Sequence, residues 1–269
     1  EMLNQIIKDI RPLRLLHYEL MFGLGIFLGT GYGRFVLNQD NFFSLVFIPI
    51  SIMFAWVFSV ITNNMEDFSI DKISNKERPL IDQKVCMKDY RAVSWIVLFL
   101  ALVYAAAAGF KMLFIITLFI GNYFLYSMPP LRIKRVTFLS KLAISLNSLI
   151  LIIAGYITLT GTRVYDFPAN IIALMIVGFT AAVNFIDIKD YEGDKKEGIK
   201  TLPVVLGLRG AKLIIGLFFI AVYAASYLVI KEFVAFPSYM LLPLVGIGIV
   251  QFFLINRKNY NEKPVFVVY

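Results

Sequence analysis

Charge is scarce in this chain. Asp, Glu, Lys and Arg supply only 16% of its 269 residues, while 59% are hydrophobic and the mean hydropathy is +0.76. Soluble domains carry about 25% charged and 45–50% apolar residues. A soluble core of this length has no room for so much Leu, Ile, Phe and Val, so a soluble globular fold is excluded and the bilayer is the solvent that fits. Cysteine is almost missing: Cys86 alone rules out an internal disulfide and fixes no redox compartment. Short segments of alternating hydrophobicity, the mark of a transmembrane β-barrel, are absent, as are low-complexity runs and an interdomain linker. No cleavable signal peptide is expected, because the first apolar run is too long and has no small-residue cleavage site.

What is present is a series of eight apolar runs, near 15–36, 42–62, 92–110, 112–128, 138–160, 168–186, 210–230 and 237–255. Each approaches the ~20 residues that a helix needs to cross a ~30 Å hydrocarbon layer. Helices are the element to expect, since each satisfies its own backbone polar groups. The stretch 265–269 turns apolar again and fits the opening of a ninth helix. The expected fold is therefore all-α: a single transmembrane domain over 1–269, built as a multi-span helical bundle around a central cavity capped by cytoplasmic loops.

The net charge of +8 does not call for a nucleic-acid partner. Of the 26 Lys and Arg, all but Arg34, Lys111, Arg163 and Lys231 fall on one side of the eight-span reading. The positive-inside rule makes that side, with the N-terminus, cytoplasmic, where basic residues meet anionic membrane lipid. Two long polar loops, 63–91 and 187–209, follow the second and sixth spans on that side, which suggests a parallel internal repeat.

Both loops open on acidic motifs. In the first, Asn63, Asp67 and Asp71 are spaced i, i+4, i+8 and share one face of a helix. In the second, Asp187, Asp190 and Asp194 fall at i, i+3, i+7. Overlaying the loops sets Asn64 against Asp187, Asp67 against Asp190 and Asp71 against Asp194. Such oxygen-bearing side chains suit a hard cation such as Mg²⁺, which takes one or two carboxylates together with substrate phosphate oxygens. Several carboxylates facing one cavity repel each other, and divalent cations with nearby Lys and Arg relieve that repulsion. Basic residues close to the motifs, Arg78, Lys134, Arg135 and Lys195, suit a diphosphate. Read alone, a single such loop is just a solvated helix end; two matched copies at membrane exits argue for a site.

These motifs resemble those of the UbiA superfamily of intramembrane prenyltransferases. Asn63 to Asp71 is similar to that family's N-D-x-x-D-x-x-x-D, and Lys76 to Pro79 to its K-x-R-P. Tyr126 to Lys134 resembles Y-S-x-P-P-x-R-x-K, and Asp187 to Pro203 resembles D-x-x-D-x-x-x-D followed by G-x-x-T-L-P. The four matches occur in order and cover most of the chain. Asn64 departs from the pattern by replacing an Asp, though its amide oxygen remains a donor for Mg²⁺. The family has nine helices where eight runs are clear here.

The resemblance implies Mg²⁺-dependent transfer of an isoprenoid chain from a polyprenyl diphosphate to a small acceptor, an aromatic ring or a glycerol-type lipid precursor, through an allylic carbocation. It implies one Mg²⁺ on Asn63, Asp67 and Asp71 and another on Asp187, Asp190 and Asp194. Asp67, Asp71, Asp190 and Asp194 are then the catalytic carboxylates, and Arg78, Lys134, Lys195 and Tyr126 contact diphosphate. Tyr126 is equally readable as an interfacial anchor. Glu19, beside His17 and Tyr18 in the first span, either meets the acceptor or pairs with Arg11 or Arg14. Asn122 and Asn147 bind between helices or line the cavity. A terpene cyclase of the same superfamily would carry the same motifs. A secondary transporter fits less well, because the carboxylates lie at helix ends rather than at midplane breaks. A phosphatidyl-type transferase lacks its D-G-x-x-A-R run here.

Overall fold

A run of apolar residues in lipid must satisfy its backbone within itself, and the chain does so by forming helices throughout. The structure, a computed structural model, describes residues 2–30, 39–74, 78–161, 164–233 and 237–268. The helices are α1 (Met2–Asp9), α2 (Pro12–Thr30), α3 (Gln39–Glu66), α4 (Phe68–Ser74), α5 (Met87–Ala107) and α6 (Phe110–Ser127). After them come α7 (Thr137–Thr160), α8 (Ala169–Asp187), α9 (Tyr191–Glu197), α10 (Leu202–Ile230), α11 (Ser238–Asn256) and α12 (Glu262–Val268).

Among the described residues, seven helices are long and apolar enough to cross a membrane: α3, α5, α6, α7, α8, α10 and α11. The expected first span is α2, 19 residues long, but Arg14, His17 and Glu19 in its first turns keep it out of that set. The apolar tail read as the opening of a ninth helix is α12. The chain is an integral membrane protein whose exposed side chains include Trp95, Phe99, Phe110, Phe138 and Leu242, as lipid contact requires.

The chain forms two compact units. The first comprises Glu1–Gly29, Arg34–Lys134 and Ile150–Val164. Here Ser51 Oγ donates to the Ala101 carbonyl (2.7 Å), tying α3 to α5 with a hydrogen bond that lipid cannot compete for. Helix α2 meets the second half of α7 at backbone distance. A Cβ on Gly25 would lie 2.0 Å from the Ile152 carbonyl oxygen, and one on Gly155 would lie 2.1 Å from that of Phe22. Only glycine fits there. At 28 residues α3 is about 42 Å long. It outruns a ~30 Å apolar layer, so its polar end, Thr62–Glu66, is carried out of the hydrocarbon.

The second unit comprises Thr30–Gly33, Arg135–Leu149 and Tyr165–Tyr269. Its α8 is irregular: it widens to π turns over Leu174–Phe179 and tightens to 3₁₀ turns over Val183–Asp187. Thr180 Oγ1 bonds to Ser145 Oγ (2.8 Å), joining α8 to the first half of α7. Helix α12 is held by Gln251 Nε2 donating to the Val265 carbonyl (3.1 Å).

Candidate active site

In the first unit the motif straddles the junction of α3 and α4. Backbone hydrogen bonds run from Asp67 N to the Asn63 carbonyl (3.0 Å) and from Asp71 N to the Asp67 carbonyl (2.8 Å). The helical path continues across the junction, so the i, i+4, i+8 spacing stacks the three side chains on one face. Three oxygens converge on the Lys134 ammonium: Asn63 Oδ1 at 3.1 Å and both Asp67 carboxylate oxygens at 2.6 Å. Asn63 Nδ2 donates to Asp67 Oδ2 (3.1 Å), and its Oδ1 also accepts from Ser127 Oγ (2.9 Å). Burial lowers the pKa of Lys134, although Asp67 pulls it upward. Asp71 pairs with Arg78, whose Nη1 also donates to Asn64 Oδ1 (2.6 Å).

Asn64 shares Arg78 with Asp71 but takes its other contacts elsewhere. It is buried, and its amide donates to Asp9 Oδ2 (2.8 Å) and to the Tyr90 hydroxyl (3.2 Å). Arg11 lies in the same field; burial, with Arg14 and Arg78, brings its pKa down to about 10, while Asp9 and Asp71 pull the other way. Beside the motif, Arg132 donates to both the backbone carbonyl and the carboxylate of Glu66, each at 3.1 Å. Residues 75–77, including Lys76, lie outside the described residues.

In the second unit the motif spans the end of α8 and the start of α9. Asp190 N bonds to the Asp187 carbonyl (3.2 Å) and Asp194 N to the Asp190 carbonyl (2.9 Å). The three-residue first step matches the 3₁₀ tightening of α8, and the four-residue second step is ordinary α-helix. Asp187 is buried, and its Oδ1 accepts from Lys141 Nζ at 2.6 Å. Asp187 Oδ2 is buried without a hydrogen-bond partner. Asp190 is exposed and Asp194 is half-buried. Desolvation, ahead of the opposing pull of Lys189, raises the Asp190 carboxyl, and Asp194 adds repulsion. Lys195 is exposed and its ammonium stands over the Tyr191 ring, 5.6 Å from the centroid.

Among the described residues no three His, Cys, Asp or Glu side chains are grouped to hold a metal unaided. The donors nonetheless suit a hard cation. Asn63 and Asp67 already gather three oxygens around one positive charge, and Asp187 offers a buried oxygen with nothing bound to it. A magnesium ion completes such a set with water and phosphate oxygens.

Of the remaining candidates, Arg135 is exposed, and Tyr126 is half-buried with its ring 6.2 Å from that of Tyr123. Tyr123 belongs to an aromatic cluster with Tyr18, Trp56 and Phe119, with ring centroids 5.3–5.6 Å apart along four contacts. The hydroxyls of Tyr18 and Tyr123 are hydrogen-bonded. Glu19 is half-buried and, among the described residues, makes no ion pair, so neither Arg11 nor Arg14 neutralises it by direct contact.

Comparison with known proteins decides the family. The sequence model of the UbiA prenyltransferase family matches residues 24–267. The chain belongs to that family. A digeranylgeranylglyceryl phosphate synthase from Thermococcus gammatolerans is 30% identical over 97% of this chain and 90% of its own length. The chloroplastic 2-acyl-4-prenylphloroglucinol 6-prenyltransferase of Humulus lupulus is 27% identical over 95% of this chain and 66% of its own. Among solved structures, a UbiA homolog from Archaeoglobus fulgidus bound to GPP and Mg²⁺ superimposes with a TM-score of 0.69. It is 19% identical, with 98% of this chain and 93% of that one covered, and it establishes the shared fold.

Within this UbiA-family fold, Asp9, Tyr90, Ser127 and Lys141 join the motifs without having been read from the sequence as site residues. Lys141 was countable only as one more basic loop residue, yet it lies inside α7 and is 5% exposed. A lysine so placed needs a carboxylate, and that was the available signal. Asp9 carried no such signal, because nothing in its neighbours along the chain points to residue 64.

Proposed function

We propose that this UbiA-family protein transfers a prenyl chain from a prenyl diphosphate to a small acceptor, with a glycerol-phosphate lipid precursor as the preferred acceptor class. The observation that carries the reading is the convergence of Asn63 and Asp67 oxygens on the Lys134 ammonium, with Arg78 held one turn further at Asp71. Carboxylates for cations and cations for phosphate stand side by side there. The similarity to digeranylgeranylglyceryl phosphate synthases over nearly the whole chain supports the glycerol-type acceptor. The similarity to the phloroglucinol prenyltransferase makes an aromatic ring the second reading.

In this proposal Asn63, Asp67 and Asp71, and in the other motif Asp187, Asp190 and Asp194, hold Mg²⁺. When bound, the metal neutralises charge on the diphosphate and makes it a better leaving group. Arg78 offers a planar fork and Lys134 a point charge to the departing oxygens, with Tyr126 as a further contact; in the other motif Lys195 is the proposed phosphate contact. The allylic carbon–oxygen bond breaks with its electron pair leaving on diphosphate. A lone pair of the acceptor forms the new bond to carbon, and the acceptor loses a proton, for which Glu19 is the proposed recipient. The Tyr18, Trp56, Phe119 and Tyr123 rings pack against one another and, in this proposal, help keep water from the allylic cation. Basic-residue segregation supports the active-site loops and N-terminus being cytoplasmic.

The test is a radiolabelled transfer assay in membranes, with DMAPP, GPP and longer prenyl diphosphates against glycerol-phosphate and aromatic acceptors. Label should move to an acceptor, and a chelator should abolish transfer. A cyclic hydrocarbon formed without acceptor would replace the transferase with a cyclase.

A further inference from the structure

We propose that Asp9, at the end of the N-terminal helix α1, supplies the carboxylate that the first motif lacks at Asn64, and through Asn64 positions Arg78 for Asp71. The contacts form one unbroken chain within the first unit. Asp71 pairs with Arg78, whose Nη1 is shared with Asn64 Oδ1 (2.6 Å). Asn64 Nδ2 donates in turn to Asp9 Oδ2 (2.8 Å), which also accepts from the Tyr90 hydroxyl (2.9 Å). Tyr90 closes the group by accepting from Asn64 (3.2 Å). Asn64 is 1% exposed and Tyr90 is fully buried, so their ends of these bonds are closed to water.

The arrangement needs an amide at 64. Both amide hydrogens and the oxygen are used, and a carboxylate has no hydrogen to give Asp9. Aspartate there would set a buried anion against the half-buried carboxylate of Asp9, with Arg78 already committed to Asp71. Asp9 is not held by this contact alone. Trp56 Nε1 donates to the Ile10 carbonyl (2.6 Å) and Ile6 is 3% exposed, so packing fixes the end of α1 against α3 independently. The second unit handles the overlaid position differently: Asp187 itself carries a carboxyl group and meets Lys141 directly. The motif's missing carboxylate is thus displaced by one hydrogen bond rather than lost. Asp9 acts on substrate only through Arg78 and is a positioning residue.

This inference rests on the proposed role of Arg78 with diphosphate, and an exchange experiment separates the two. Wild type, Asp9→Asn, Asn64→Asp and the double variant Asp9→Asn/Asn64→Asp are purified in detergent. Their melting temperatures are measured, together with GPP affinity in Mg²⁺ well below those temperatures. Asn64→Asp should lower the melting temperature by several degrees and weaken GPP about tenfold, the coupling expected of charged neighbours in one network. Asp9→Asn should do less, since an amide still accepts a hydrogen bond. The double variant, with one carboxylate and one amide restored in exchanged order, should recover most of both losses. If Asn64→Asp alone does not accumulate, recovery of folded protein by the added Asp9→Asn change is the same result. Additive losses in the double variant, or an Asn64→Asp protein indistinguishable from wild type, would overturn the inference. Wild type that fails to bind GPP would sink the functional reading instead, leaving the melting temperatures to decide the Asp9–Asn64 pairing.

Discussion

In the first motif region two carboxylates meet cations from elsewhere in their unit, Asp67 with Lys134 at side chains 17% and 16% exposed, and buried Asp71 with Arg78, whose side chain is 18% exposed. In the second the cation of the ion pair is covered as well: Asp187 and Lys141 have side chains only 9% and 7% exposed, while Asp190, further along the motif, reaches the surface. A pair whose cation still reaches solvent is freer to exchange partners than one covered on both sides. A buried pair costs several kcal/mol if broken from one side, because the remaining charge is stranded. Acidic residues at matching positions thus meet two settings, one with cations that reach solvent and the other with a cation buried beside its carboxylate.

That contrast can be broken most decisively through the outer carboxylates. Asp67→Ala and Asp190→Ala should each cut prenyl transfer by roughly 10²–10³-fold, the cost of deleting one electrostatic partner of a leaving group. Full activity in either would remove that region from the site. Next come the lysines, compared as Met variants. Lys141→Met should destabilise the protein by roughly 3–5 kcal/mol, read as a large fall in melting temperature. Lys134→Met should lose less stability than Lys141→Met yet lose most activity. Equal melting temperatures for the two would erase the difference between the two regions. A smaller effect, outside both motifs, checks the scaffold: Gly25→Ala should cost about 1–3 kcal/mol by forcing α2 from α7. The smallest is Lys195→Ala. An exposed lysine over Tyr191 should change GPP affinity by only about threefold, since an exposed cation–π contact is weak.

Much of this was legible in order along the chain. Hydropathy located the helices, because a residue in hydrocarbon reports its surroundings by its own chemistry. The i, i+4, i+8 and i, i+3, i+7 spacings placed each motif's main carboxylates along one helical path, because helix periodicity is local. The span boundaries around 12–30 were harder, since Arg14, His17 and Glu19 dilute the signal of a helix that forms nonetheless. Asn64 reads as a weakened metal donor, whereas its side chain is spent on Asp9, Tyr90 and Arg78. Lys141 reads as an orientation signal, whereas it neutralises Asp187.

By itself the sequence determined that the chain lies in a membrane, that it is helical, and that two oxygen-rich motifs repeat after two of its spans. Those properties follow from side-chain transfer energies and from the 3.6-residue turn, both of which act over a few neighbouring residues. Only the tertiary structure decided which cation meets which carboxylate. Asp9 and Asn64 are 55 residues apart, and Lys141 and Asp187 are 46 apart. Pairing over such separations depends on how helices pack, and packing is a sum of many weak contacts that no single stretch of chain records.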